Sequence, residues 1–219
     1  MLAVTALSAL LLHAAAPAAD LRLPRPELRV IVRTEGVSAA DNRLLTRGLA
    51  AAADIWRPYV DVSFVRSADP DDAALLPRGA LELVITARTL AGQDPGSLGW
   101  IAFTNGRPAP KISVSMTAAR HLLEQSSWRD RPLMALPPSV RESFLEQALG
   151  RSVAHEIGHY LLRSSVHSTH GLMRARLVSA DLMDGRRDHV RLESSDVMRL
   201  QQGLLMLAGQ RADAGLVDP

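Results

Sequence analysis

The chain has no cysteine, a single lysine (Lys111) and only 4% aromatic residues over its 219 positions. Without cysteine there is no disulfide, so stability must come from the hydrophobic core and from any metal the chain binds. Arginine therefore supplies almost all of the positive charge. The net charge is only +2, and the pI of 9.6 reflects that arginine rather than a basic patch. The arginines are scattered and no aromatics interleave them, which excludes a nucleic-acid surface. Long apolar runs are also scarce. Leu2 to Leu12 is one, too short to span a bilayer, and it is followed by HAAAPAAD. That pattern reads as a signal peptide over residues 1–19, with cleavage after Ala16, Ala18 or Ala19, although a basic leading region is missing. The expectation is export to a periplasmic or extracellular location, without stable membrane insertion afterwards. No repeat or low-complexity linker divides the remainder, and 47% hydrophobic content suffices for one monomeric domain over residues 20–219.

What is present is concentrated between Arg151 and Met173, RSVAHEIGHYLLRSSVHSTHGLM. His155-Glu156-Ile157-Gly158-His159 is an H-E-x-x-H. On a helix it stacks two imidazoles one turn apart and sets a carboxylate beside them, the arrangement of a zinc site with its own general base. The helix itself is legible. Val140, Phe144, Ala148 and Leu145, Leu149, Val153, Ile157, Leu161 recur at three- and four-residue steps, with Arg141, Glu142, Glu146, Gln147 and Arg151 between them. Pro137 and Pro138 stand where a helix start tolerates proline, so the spacing predicts a helix from Ser139 to Leu162. A catalytic zinc needs a third protein ligand and an open position. His167 and His170 are the candidates, with Glu193 a more distant rival.

The stretch resembles the metzincin zinc peptidases, within them the matrixin-like branch: a long H-E-x-x-H helix, a third histidine followed by serine, then a methionine-bearing turn beneath the metal. His155, Glu156, His159, His167, Ser168 and Met173 match that signature in order. The resemblance implies zinc on His155, His159 and His167, with His170 as alternative third ligand, Glu156 as the base and Met173 as an apolar floor. It also implies a protein or peptide substrate. Two departures stand out. Seven glycine-free residues, Tyr160 to Val166, separate the second and third histidines, so the turn must be built differently, through Ser164 and Ser165; and Arg174 and Ala175 follow Met173 where the family often has a tyrosine. Arg174 and Arg176 are then candidates for steadying an oxyanion. A propeptide thiolate, which blocks the zinc in many of these enzymes, is excluded.

The rest of the chain fits an α+β fold in which a mixed sheet packs on two long helices, the active-site helix being followed by the methionine turn and a last helix. Leu28–Thr34, Val60–Arg66 and Leu81–Ala87 read as strands, the last buried on both faces. Ser38 caps a helix to Trp56. Gly96–Thr104 and Lys111–Met116 read as two strands at the sheet margin, joined by a loop that Pro108 and Pro110 lengthen. Trp100, Phe103, Ile112 and Val114 are candidates either for the cleft or for the core. Thr117 caps a helix to Ser127, bearing His121 on its surface. Arg174–Asp188 lacks periodicity and would form the lower cleft wall. The last helix runs from Glu193 to Ala208 with Asp196 near its start, and the tail ADAGLVDP frays. Asp69 to Asp72 holds three carboxylates without the spacing of a calcium loop.

The chemistry expected is zinc-dependent endopeptidase hydrolysis, in which Glu156 takes a proton from water and passes it to the departing amine. The alternatives are an exported zinc-binding protein without catalysis and another zinc hydrolase such as an amidase.

Overall fold

The computed structural model describes residues 25–67, 80–89, 97–176, 178–183 and 187–215. The signal segment and the Asp69–Asp72 carboxylates lie outside them. Strands β1 (Glu27–Glu35), β2 (Asp61–Arg66), β3 (Leu81–Thr86), β4 (Gly99–Thr104) and β5 (Arg107–Ser115) form one sheet in the order β2-β1-β3-β5-β4. All neighbours run parallel except β4, which lies antiparallel at the margin. Register follows the apolar alternation. Val30 sits beside Leu81, Val32 beside Leu83 and Leu83 beside Ile112, all essentially inaccessible, so one face of the sheet is a continuous apolar layer. On the other face Glu82 of β3 is held between Arg33 of β1 at 3.0 Å and Lys111 of β5 at 3.2 Å. Those flanking cations let a carboxylate sit in a strand that is buried throughout.

Two long helices cover the apolar layer, α1 (Ala39–Trp56) and α3 (Pro138–Leu162). α1 begins where Ser38 Oγ accepts from the Asp41 amide. The two helices cross at a pair of glycines: a Cβ on Gly150 would stand 2.6 Å from the Gly48 carbonyl oxygen. α5 (Ser194–Gly215) closes on the opposite side of α3 through Gly203, where a Cβ would meet the Leu161 carbonyl oxygen at 1.9 Å. No described helix is long and apolar enough to cross a membrane.

Four local expectations are corrected. β4 and β5 are joined by Asn105-Gly106 alone, both at positive φ, a two-residue turn whose twist suits the strands. Pro108 and Pro110 fall inside β5, in the part that pairs with β4 and extends past β3. Helix α2 (Met116–Gln125) is capped by Ser115, whose Oγ accepts from the Ala118 amide at 3.0 Å, and not by Thr117. Arg174–Asp188 contains a short helix, α4 (Ser179–Met183). α5 continues through Ala212–Gly215, where fraying was expected.

Candidate metal centre

The second half of α3 is not amphipathic. Every residue from Ala148 to Leu162 is buried, because α1, α5 and the strands β4 and β5 enclose it. This places His155, Glu156 and His159 inside the protein, at 9%, 6% and 5% exposure. The helix ends on Arg163 in the left-handed conformation (φ 51°), so the glycine-free turn is made by a strained arginine followed by Ser164, and not by the two serines. The amides of Arg163 and Ser164 both point to the His159 carbonyl oxygen. The chain is thereby folded back so that the Ser164 carbonyl faces the His159 ring.

Each helical histidine is oriented by a backbone carbonyl. His155 Nδ1 donates to the Leu172 carbonyl at 2.8 Å, and His159 Nδ1 donates to the Ser164 carbonyl at 2.7 Å. A carbonyl can only accept, so in the neutral rings Nδ1 carries the hydrogen and Nε2 a bare lone pair. The two Nε2 atoms then face each other at 3.0 Å. Two acceptors at that distance repel unless a cation lies between them. Zinc bound at about 2.0–2.1 Å by tetrahedral nitrogen ligands separates them by about 3.3 Å.

His167 completes the group. Its ring stacks on His155 with centroids 5.2 Å apart and meets His159 edge-on at 4.9 Å. One nitrogen from each of the three residues lies within 4.8 Å of the others. Three neutral imidazoles, two of them fixed through Nδ1, are a donor set suited to zinc. Burial is the first cause lowering the pKa of each ring, to about 3 at His155 with His159 adding to it. The rings are thus kept unprotonated and able to ligate.

His170 lies outside the group, and its side chain is exposed. Its amide donates to Glu193 Oε1 at 2.6 Å, which also accepts from Thr169 Oγ1 at 3.2 Å. Glu193 therefore caps the loop. The same loop is tied down at Ser168, whose amide donates to the Met173 carbonyl and whose Oγ donates to Asp196 Oδ2 at 2.7 Å. Asp196, in the first turn of α5, is wholly buried and receives Arg199 at 3.2 Å.

Glu156 opens onto a cleft of about 640 Å³ together with the three histidines. Burial raises its pKa to about 8. Room for its carboxylate comes from Gly99 of the edge strand, where a Cβ would lie 2.8 Å from Oε1. Trp100 and Phe103 line this cleft, whereas Ile112 and Val114 belong to the core. Arg174 and Arg176 also line it. Met173 is buried beneath α3 against Gly158.

One functional residue escaped the sequence pattern. Arg151, spaced like a solvent-facing residue of α3, is 3% exposed. Its Nη2 donates to the carbonyls of Gly171, at 3.3 Å, and His189, and so holds the turn whose next carbonyl, that of Leu172, orients His155. The only available signal is its position four residues before His155, on the same face of the helix.

No family model matches the chain, and no curated protein matches it. Among solved structures it is similar to an archaemetzincin from Methanopyrus kandleri, at 17% identity over 85% of this chain and 99% of that one, TM-score 0.45. It is also similar to a zinc-dependent peptidase from Methanocorpusculum labreanum, at 13% identity over 78% and 99%, TM-score 0.48.

Proposed function

We propose that this chain is a zinc-dependent peptidase of metzincin-like, matrixin-like organisation. His155, His159 and His167 hold the metal, Glu156 is the general base, and the protein acts outside the cytoplasm. The observation that carries the reading is the pair of bare Nε2 atoms at 3.0 Å, each ring locked by its Nδ1 hydrogen bond, with His167 alongside. Export rests on the Leu2 to Leu12 run and the small residues after it.

Zinc at this position would supply Lewis acidity, which acidifies water and polarises a carbonyl. The chain's own residues do the rest. Glu156 faces the cleft one residue after His155, with a raised pKa that makes its carboxylate a strong proton acceptor. Positive charge on the histidine site favours its ionised form. It takes a proton from water and returns it to the departing amine. β4 is an edge strand along the cleft, so its backbone can pair with an extended peptide whatever the side chains. Trp100 and Phe103 give the cleft an apolar lining. Met173, with no polar tip, gives the site a dry floor.

Metal content and cleavage of a mixed peptide library test the proposal together. One zinc per chain is expected, with cleavage abolished by a chelator and restored by zinc. One zinc with no cleavage of any peptide would leave a zinc-binding protein without peptidase activity.

A further inference from the structure

The charges on the cleft wall are unevenly matched. Apart from Glu156 and the histidines, the charged side chains facing the cleft among the described residues are Arg174 and Arg176. Arg174 Nη1 lies 3.1 Å from Asp181 Oδ2, and Arg151 Nη1 lies 3.9 Å from the same oxygen. One carboxylate thus serves two guanidiniums, and His189 Nδ1 sits 3.4 Å from its other oxygen. Burial is the first cause lowering the pKa of Arg151; Asp181 opposes it and Arg174 adds to it. Arg176, two residues further on, is exposed and has no hydrogen bond or ion pair among the described residues. The same cleft is lined by the uncharged Trp100, Phe103 and Leu122. Apolar lining concentrates the field of a cation in a cleft and raises the local concentration of anions.

We infer that the cleft selects peptides carrying a carboxylate side chain close to the scissile bond, with Arg176 as its direct partner and Arg174 reinforcing the field. This rests on the peptidase reading and names its substrate class. A basic side chain beside Arg176 is disfavoured by repulsion as well as by the lost pairing, since the carboxylate lining the cleft among the described residues is that of Glu156, next to His155.

The test uses the zinc-loaded full chain and quenched fluorescent peptides. A single Glu, Gln or Lys is walked from three residues before the cleaved bond to three after it. At one position Glu should exceed Gln by about fivefold in kcat/KM, the scale of a partly solvated charge pair, and Lys should fall below Gln. Arg176→Gln should bring the Glu to Gln ratio close to one, and Arg176→Glu should favour Lys. Raising salt from low to molar concentration should shrink the wild-type preference. Equal rates for Glu, Gln and Lys at every position would overturn the inference and leave the peptidase reading standing. If no peptide is cleaved, the peptidase reading falls, and anisotropy of the labelled peptides decides the inference. Tighter binding of the Glu peptide that Arg176→Gln removes upholds acidic selection; equal affinities overturn it.

Discussion

The sulfur of Met173 lies 2.3 Å from the point where a Cβ on Gly158 would stand. The glycine between the two helical histidines is therefore what admits the methionine beneath the helix. Gly158→Ala should force Met173 out of a site in which it is wholly buried, costing about 1–3 kcal/mol of stability as overpacking. It should also weaken zinc binding about tenfold by shifting the turn that carries the Leu172 carbonyl. Adding Met173→Ala should recover part of the stability. Thermal unfolding of the two single variants and the double variant checks this, because strictly additive losses would mean the contact is not the cause.

Arg151 acts on the site through the backbone. Replacing it with methionine keeps the apolar stem but leaves the Gly171 and His189 carbonyls without their guanidinium donor. The expected loss is about 2–3 kcal/mol for the buried acceptors, with zinc affinity falling about tenfold as His155 loses its fixed partner. Lysine should rescue part of the loss, since both carbonyls are reached by the single nitrogen Nη2 and an ammonium also carries more than one donor. Competition with a chromogenic chelator reads the affinity separately from unfolding, and an unchanged zinc affinity in a destabilised Arg151→Met protein would reduce Arg151 to a packing residue.

Glu156→Gln should retain one zinc per chain and lower kcat by about 10²- to 10⁴-fold, the usual contribution of a proton-transferring group. Stability supplies a second readout. Wild-type Glu156 has its pKa raised to about 8 by burial, so above that pH the metal-free protein must hold a buried carboxylate that the amide variant lacks. Metal-free Glu156→Gln should therefore unfold at a higher temperature than wild type at pH 9. Hydrolysis at the wild-type rate would show that another group takes the proton.

Much of the site was legible because its chemistry is local. His155, Glu156 and His159 lie within one helical turn and a half, and apolar periodicity shows the helix. The family signature favours His167 over His170 as the third histidine, but the two stand three residues apart in an irregular loop; the structure brings the His167 ring beside the other two, with Ser168 tied to Asp196 and the His170 amide to Glu193. Long-range contacts hid more. Arg151 has the spacing of a surface residue and is buried because Gly171 and His189 return to cover it. The two prolines of β5 pointed to a long loop, yet Asn105-Gly106 makes the turn, since β5 runs past the end of β3 and its prolines cost no pairing there. The glycines at 48, 150 and 203 carry no motif, but each sits where one backbone approaches another.

Acid should unfold the metal-free protein through the same three rings. Burial lowers the pKa of His155 to about 3, and those of His159 and His167 below the ordinary histidine value. Below about pH 6.5 the unfolded chain therefore binds more protons than the folded one, and stability falls as pH drops, with the His155 contribution lost progressively down to about pH 3. Glu156 works in the opposite direction. With its pKa raised to about 8, the folded state binds the extra proton between about pH 4.5 and 8, and stability falls as pH rises through that window. Three rings outweigh one carboxylate just below pH 6.5, whereas above it only Glu156 contributes. The unfolding temperature of the chelated protein should accordingly peak near pH 6.5 and decline on both sides. Zinc should raise it most at neutral pH and least in acid, where protons compete for the ring nitrogens. Calorimetry from pH 4 to 9, with chelator and with zinc, checks the sign on each side; a metal-free protein whose stability rises below pH 6 would mean the histidines are not held neutral by burial.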